Sequence, residues 1–320
     1  MTDFLSELAN TNTDLLFAGL ISAIVSAMVS YLFKRRETRH QAEVEYEYEQ
    51  RKKLQELTGR YHGRLLNAAN SLNYRIWNLY SNHQEGWHNA NGNYEQAAYY
   101  FQSTAYRLMN FFALIRLIER ESILLDARIA TKKDFAFLNY AAAFHWVMTD
   151  VELFKGLNFD KSKQQDHFFS DHFRHYCELF LKNNENLSYE TFKSDAYLDK
   201  QFSAVLAFID GVSPSEERLR WNRIVCLHLL LMAFINTFGY TRQKSKTKQF
   251  LTAAKNSTNV TCLNNLLAWL PRHDLHHDQN IKDIVKAIDR INKEVELGLL
   301  KNNSQEQLKE SMVGAAHHTV

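Results

Sequence analysis

Residues 15–33 read LLFAGLISAIVSAMVSYLF, nineteen positions without a charge. At about 1.5 Å per residue a helix of that length approaches the roughly 30 Å hydrocarbon core of a bilayer. A buried helix of a water-soluble domain would carry a polar stripe, whereas only small hydroxyls interrupt this run. A single transmembrane helix over 15–33 is therefore expected. Residues 1–14 hold Asp3, Glu7 and Asp14 and no Lys or Arg, unlike the basic start of a cleaved signal peptide. Lys34, Arg35, Arg36, Arg39, Arg51, Lys52 and Lys53 all follow the run, which places residues 1–14 outside and the bulk of the chain at the cytoplasmic face. Gly19, Ser22, Ala23, Ser26, Ala27 and Ser30 recur at steps of three and four, so one face of the span is small enough for close helix pairing and a homo-oligomer. Lys34, Arg35, Arg36 and Arg39 are expected to meet anionic headgroups.

Residues 34–57 form a charged juxtamembrane helix. Arg39 with Glu43, Glu47 with Arg51, Glu49 with Lys53 and Glu56 with Arg60 are spaced four apart, which favours helix over the strand-like alternation near Val44. From residue 58 to about 82, Leu65, Leu66, Ala69, Leu72, Ile76 and Leu79 make an amphipathic stripe, broken by the polar run 81–93. Helices then follow at 94–125, 135–154, 167–182, 199–210, 215–240, 260–270 and 279–299. Ser213-Pro214-Ser215-Glu216-Glu217 reads as a capped helix start. The apolar run 224–238 is interrupted by His228 and Asn236, leaving about twelve unbroken residues, which suits a core helix better than a second membrane crossing. Ile281, Ile284, Val285, Ile288, Ile291, Val295 and Leu299 stripe the last long helix. Residues 301–320 read as a flexible polar tail. The fold expected is all-α: one N-terminal transmembrane helix followed by a cytoplasmic multi-helix bundle, with 58–300 as one domain.

Composition sharpens this. Two prolines and ten glycines in 320 residues leave few turns, which excludes a sheet-rich sandwich or barrel, while 45% apolar and 13% aromatic residues fill a sizeable core. Thirty-eight basic against 36 acidic residues give a net charge of +2, too balanced to imply nucleic acid as a partner. Cys177, Cys226 and Cys262 show no CxxC spacing and sit among apolar neighbours, as free thiols of a reducing compartment. In that compartment the sequons at Asn186, Asn256 and Asn259 have no role.

Chemistry is sparse. His167, Asp171 and His175 fall at i, i+4 and i+8 of an expected helix, and His273-Asp274-Leu275-His276-His277-Asp278 lies in a connection where His273 and His277 share a face if the segment turns helical. Imidazole and carboxylate at such spacing suit a metal, but each set alone supplies too few ligands, so a solvated polar face and a loop with an Asp near the next N-cap are the preferred readings. Arg242, Lys244, Lys246 and Lys248 form a basic loop. Arg116, Glu119, Arg120 and Glu121, in an otherwise apolar helix, call for structural ion pairs. GxGxxG, P-loop, GxSxG and kinase signatures are missing, and no cofactor is implied. The expected function is a non-enzymatic interaction or sensor module, anchored in the lipid bilayer, self-associating, and presenting its bundle to a cytoplasmic protein. The alternatives are a metal-dependent hydrolase using His167, His175, His273 or His277, and a membrane-disrupting effector of a stress or phage-defence response.

Overall fold

The computed structural model describes residues 2–123, 126, 129–196 and 201–299, with side chains from Gly19 onward except 195 and 196. The expected tail 301–320 and the side chains of residues 15–18 lie outside that description.

Ten α-helices account for most of the described chain: α1 Thr2–Asn82, α2 Tyr99–Ser122, α3 Lys132–Thr149, α4 Ser170–Leu179, α5 Tyr189–Thr191, α6 Ser203–Ile209, α7 Arg220–Phe238, α8 Thr247–Ala254, α9 Val260–Trp269 and α10 Ile281–Glu296. The strands among the described residues are two residues each, β1 (Leu181–Lys182) and β2 (Glu185–Asn186), paired antiparallel across a turn. Asn183 and Asn184 take the left-handed conformation there, the backbone that a two-residue hairpin turn needs. The protein is thus all-α.

The chain divides into two compact units. The first comprises Met1–Lys53 with Asp126–Ile129. Of the charge pairs expected in 34–57, Glu47 and Arg51 approach to 4.0 Å, and Tyr46 Oη donates to Asp126 Oδ2 at 3.2 Å.

The second unit comprises Leu54–Leu125 and Ala130–Val320. Its part of α1 buries the whole predicted stripe, Leu65, Leu66, Ala69, Leu72, Ile76 and Leu79. Arg60 turns away from Glu56 to pair with Glu121 at 3.2 Å, and the same carboxylate accepts from Tyr61 Oη at 2.5 Å. The ion pairs expected on α2 form: Arg116 holds Glu119 at 3.3 Å and Glu178 at 2.6 Å. On α10 the buried residues Ile281, Ile284, Ala287, Ile288 and Ile291 face the body, chiefly α8. Cys177, Cys226 and Cys262 are free and buried.

At the centre lies α7, which packs on α3, α8, α9 and α10. Its aromatic residues Phe234 and Phe238 meet Phe137, Tyr140 and Phe144 of α3 mostly edge to face, with centroids 5.5–6.2 Å apart. Among the described residues α7 is the helix long and apolar enough to cross a membrane, and 94% of it is buried inside the protein. The expected span at 15–33 is not supported by that criterion, which among the described residues α7 alone meets.

α7 also begins later than its sequence suggests, at Arg220 rather than 215. Glu216 is diverted into a two-oxygen grip on Arg220 Nε, at 2.9 and 2.8 Å. The cap comes instead from a distant loop: Asp166 Oδ1 accepts from the backbone N–H of Leu219 at 2.7 Å and of Arg220 at 3.2 Å. A carboxylate there suits both the orphan donors and the helix dipole.

Candidate functional site

Residues 19–33 of α1 carry every large apolar side chain in the open, from 45% exposed at Val29 to 68% at Phe33. Leu20, Ile21, Ile24, Val25, Met28 and Leu32 are all exposed and share one broad side of the helix, opposite the small residues. Gly19, Ser22, Ala23, Ser26, Ala27 and Ser30 are exposed as well, and a Cβ added at Gly19 would meet nothing within 4 Å. The small face is therefore available for pairing. Lys34, Arg35, Arg36 and Arg39 follow at once, all exposed.

In the second unit the clearest constellation is the turn between α9 and α10. After Trp269 the chain tightens into a 3₁₀ turn, Leu270–His273. Asp274 then adopts φ +52, the left-handed conformation that short polar side chains tolerate best. The reversal drives Leu275 into the core, 1% exposed, while Asp274, His276 and His277 stay outside. One ligand atom from each of these three lies within 4.8 Å of the others, and Asp274 Oδ1 and His277 Nε2 are 4.0 Å apart. A nitrogen–oxygen set of this kind matches zinc and its neighbours, and three protein ligands leave a position for water.

The turn forms one wall of a cleft of about 630 Å³, opposite Lys132, Phe135 and Asn139 of α3 and Thr237 of α7. Asp278, also on the wall, is already engaged. It accepts from Tyr140 Oη at 3.0 Å, Thr237 Oγ1 at 2.7 Å and its own turn's Asn280 N–H at 2.7 Å. Asp278 thus pins the turn to the bundle just before α10, and Tyr140, pushed well up by burial and by this carboxylate, stays a neutral donor.

The other predicted ligands are not gathered here. α4 starts at Ser170, so His167 precedes the helix instead of sharing a face with Asp171 and His175. His167 is buried between the rings of Phe159 and Phe169, with Nδ1 lacking a hydrogen-bond partner; burial and then Arg223 lower its pKa. Asp171 and His175 are exposed, and Asp171 pairs with Arg174 at 3.3 Å. His273 lies on Trp269, centroids 3.9 Å apart, and burial pushes its pKa down to about 4. It shares no ring or hydrogen-bond partner with His167. The turn's ligand set includes His276, which i, i+4 spacing passes over because the three residues meet in a tight turn rather than on a helix face.

Two further carboxylates with work to do were not legible by spacing. Asp166 caps α7, and Asp210 accepts from the backbone N–H groups of Ala90, Asn91 and Gly92 at 2.8, 3.1 and 2.9 Å, which fixes the loop ahead of α2. The basic residues Arg242, Lys244, Lys246 and Lys248 are exposed. No protein-family model, no curated protein and no solved structure matches this chain.

Proposed function

We propose that this chain is a single-pass, membrane-anchored helical protein whose body works as a non-enzymatic interaction or sensor module at the cytoplasmic face. The observation that carries the reading is the exposure of residues 20–33: a helix with one broad side of exposed large apolar side chains, small Gly, Ala and Ser opposite, and no charge on any side has lipid as its natural surrounding. The four basic residues at 34, 35, 36 and 39 set the orientation and meet anionic headgroups. The small face from Gly19 to Ser30 brings two copies together. The body then offers its surface to a cytoplasmic protein.

Fractionation of cells expressing the full chain, and a version lacking residues 1–33, tests the anchor. The full chain is expected in the membrane fraction with a C-terminal cytoplasmic reporter active, and the shortened chain in the soluble fraction. A full chain that stays soluble, or a reporter active only outside, overturns the reading. Crosslinking through cysteines placed at Ser22 and Ser26 tests the pairing.

A second reading rests on Asp274, His276 and His277 beside their cleft: a bound transition metal with an open position is the minimum a hydrolase of that type needs. Elemental analysis of purified protein decides it, with metal in proportion to protein expected, and lost on His276→Ala. Metal at trace level removes this reading and leaves the first untouched.

A further inference from the structure

Where α1 crosses α2 inside the second unit, the contact is polar and has a regular register. On α1, Ser71, Arg75 and Asn78 fall at i, i+4 and i+7; on α2, Tyr100, Ser103 and Arg107 fall at i, i+3 and i+7, so each set shares one helix face. The pairing runs antiparallel. Tyr100 Oη donates to Asn78 Oδ1 at 2.5 Å, Arg75 Nη2 to Ser103 Oγ at 2.7 Å and Arg107 Nη1 to the Ser71 carbonyl at 3.1 Å.

The seam holds two guanidinium groups and no carboxylate. Arg75 is 6% exposed, its guanidinium carbon 4.1 Å from the centre of the Tyr100 ring, and neither arginine has an acidic oxygen within 4.0 Å among the described residues. The other buried arginines are treated differently. Arg220 grips Glu216, and Arg223 gives its three nitrogens to the carbonyls of Asp166, Val147 and Asp150. Arg75 makes one hydrogen bond to a hydroxyl. Arg75 is otherwise held only against the Tyr100 side chain, and Arg107 makes no hydrogen bond besides the one to the Ser71 carbonyl among the described residues. Behind Arg75 lies a cavity of about 30 Å³ whose walls, among them Leu72, Ile76, Leu108 and Phe208, add Thr104 as the one other polar side chain. His88 stands edge-on to Tyr100 at 4.6 Å and touches Thr104 Oγ1 at 3.3 Å, and burial followed by Arg75 pushes it down to about 4, so it brings no charge of either sign at neutral pH.

A buried guanidinium without a counter-charge is costly, and a second one beside it adds repulsion. Two guanidinium charges with no carboxylate between them match a dianion that accepts at several oxygens. A phosphate monoester carries about −1.5 to −2 at neutral pH, where a carboxylate carries one charge. Arginine forks suit its geometry. We propose that the seam between α1 and α2 is a binding site for a phosphate monoester, gripped by Arg75 and Arg107, with the Tyr100 ring holding the Arg75 guanidinium in place. The ester is either a soluble phosphate compound or the headgroup of a lipid with a terminal phosphate.

The test is calorimetric titration of the full chain in detergent, at constant ionic strength, with inorganic phosphate, adenosine monophosphate and short-chain phosphatidic acid. Saturable binding of at least one is expected, weakened roughly tenfold by Arg107→Gln. That variant removes the half-buried arginine, and its circular dichroism and unliganded melting confirm that it folds. Arg75→Lys keeps the charge but loses the fork, and is expected to weaken binding of the same ligand. Preference for adenosine monophosphate identifies a soluble ligand; binding of phosphatidic acid alone identifies a lipid. If none of the three saturates in the millimolar range, or if Arg107→Gln and Arg75→Lys bind as the parent does, the seam is a structural contact and the proposal fails.

Discussion

Residues 19–33 of α1 and the α7 helix are both apolar runs that invite a membrane reading, and the protein treats them in opposite ways. The α1 stretch is interrupted only by Gly, Ala, Ser and Tyr, and its large side chains are all exposed. α7 carries Arg220, Asn222, Arg223, His228 and Asn236, and every one is buried. Each of these is caught at a fixed point. Asn222 Oδ1 accepts from the N–H of Thr258 at 2.9 Å and from Ser257 Oγ at 2.8 Å; Asn236 exchanges hydrogen bonds with Ser245; Arg223 ties three carbonyls together. Hydropathy averages over such residues, but their partners decide where the helix belongs. Polar groups with fixed protein partners mark a core helix, and small polar groups with none mark a face that lipid or a second helix covers.

The sharpest way to break the comparison is to place one charge in each helix. Leu230→Lys puts an ammonium at a fully buried position on α7. The expected loss exceeds about 4 kcal/mol, enough to prevent recovery of folded protein. Ile24→Lys on α1 is expected to leave the melting of the body within about 0.5 kcal/mol of the parent. It should instead impair membrane insertion, by about 2.5–3.5 kcal/mol on insertion scales. Comparing melting curves with membrane fractions for both variants checks this. If Ile24→Lys unfolds the body, or leaves the membrane fraction unchanged, the two helices differ less than their surroundings imply.

Arg223 sharpens the α7 side. It is fully buried, 4.4 Å from the Phe154 ring centre, and burial depresses its pKa to about 10 while it remains charged. Its fork binds the end of α3 to the loop that caps α7: Val147 and Asp150 carbonyls on one side, Asp166 on the other, at 2.5, 3.0 and 2.6 Å. The carboxylates of Asp150 and Asp166 are meanwhile held by Trp269 Nε1 and by the start of α7. Arg223→Met strands three carbonyls in the core, and a loss of about 3–5 kcal/mol is expected in urea unfolding. A loss below about 1 kcal/mol would mean that the carbonyls find other donors.

What could be read from residue spacing and what could not divide along the same line. The stripes from Leu65 to Leu79 and from Ile281 to Ile291 follow the 3.6-residue period, so local pattern and final packing agree. The burial of α7 was legible from His228 and Asn236 interrupting its apolar run. Its starting point was not, because Ser213-Pro214-Ser215-Glu216 satisfies the local rules for a cap while Asp166, 53 positions away, supplies the real one. The turn of Asp274, His276 and His277 depends on one left-handed residue, and the arginine seam on the register of two helices. Neither is a property of a single periodic segment. α8 escaped notice because Arg242, Lys244, Lys246 and Lys248 alternate as in a loop, although Gln249 Oε1 closes its start by accepting from the Lys246 N–H at 2.8 Å and Asn236 anchors Ser245 just ahead of it.

The smallest of these effects separates α7 from a membrane helix by its titration. His228 Nε2 lies 2.8 Å from Asn73 Oδ1, which can only accept, and Nδ1 lies 3.1 Å from Tyr80 Oη. The ring therefore donates through Nε2 and accepts at Nδ1, which is the neutral form. Burial alone lowers its pKa to about 3. The folded state thus binds fewer protons than the unfolded chain, whose histidine titrates near 6.5, and stability is complete above that value and falls as the pH drops toward 3. At pH 5 the contribution of this one ring is a loss of about 2 kcal/mol. His145, down to about 3, and His88, down to about 4, push the same way, so the parent is expected to lose more than His228 alone accounts for. Unfolding midpoints of the parent and of His228→Gln between pH 7 and pH 5 isolate the term. The variant starts less stable, and its decline over that interval is shallower by about the same 2 kcal/mol. A parallel decline in the two proteins would show that His228 is protonated within the fold, and that the centre of α7 is wetter than its packing implies.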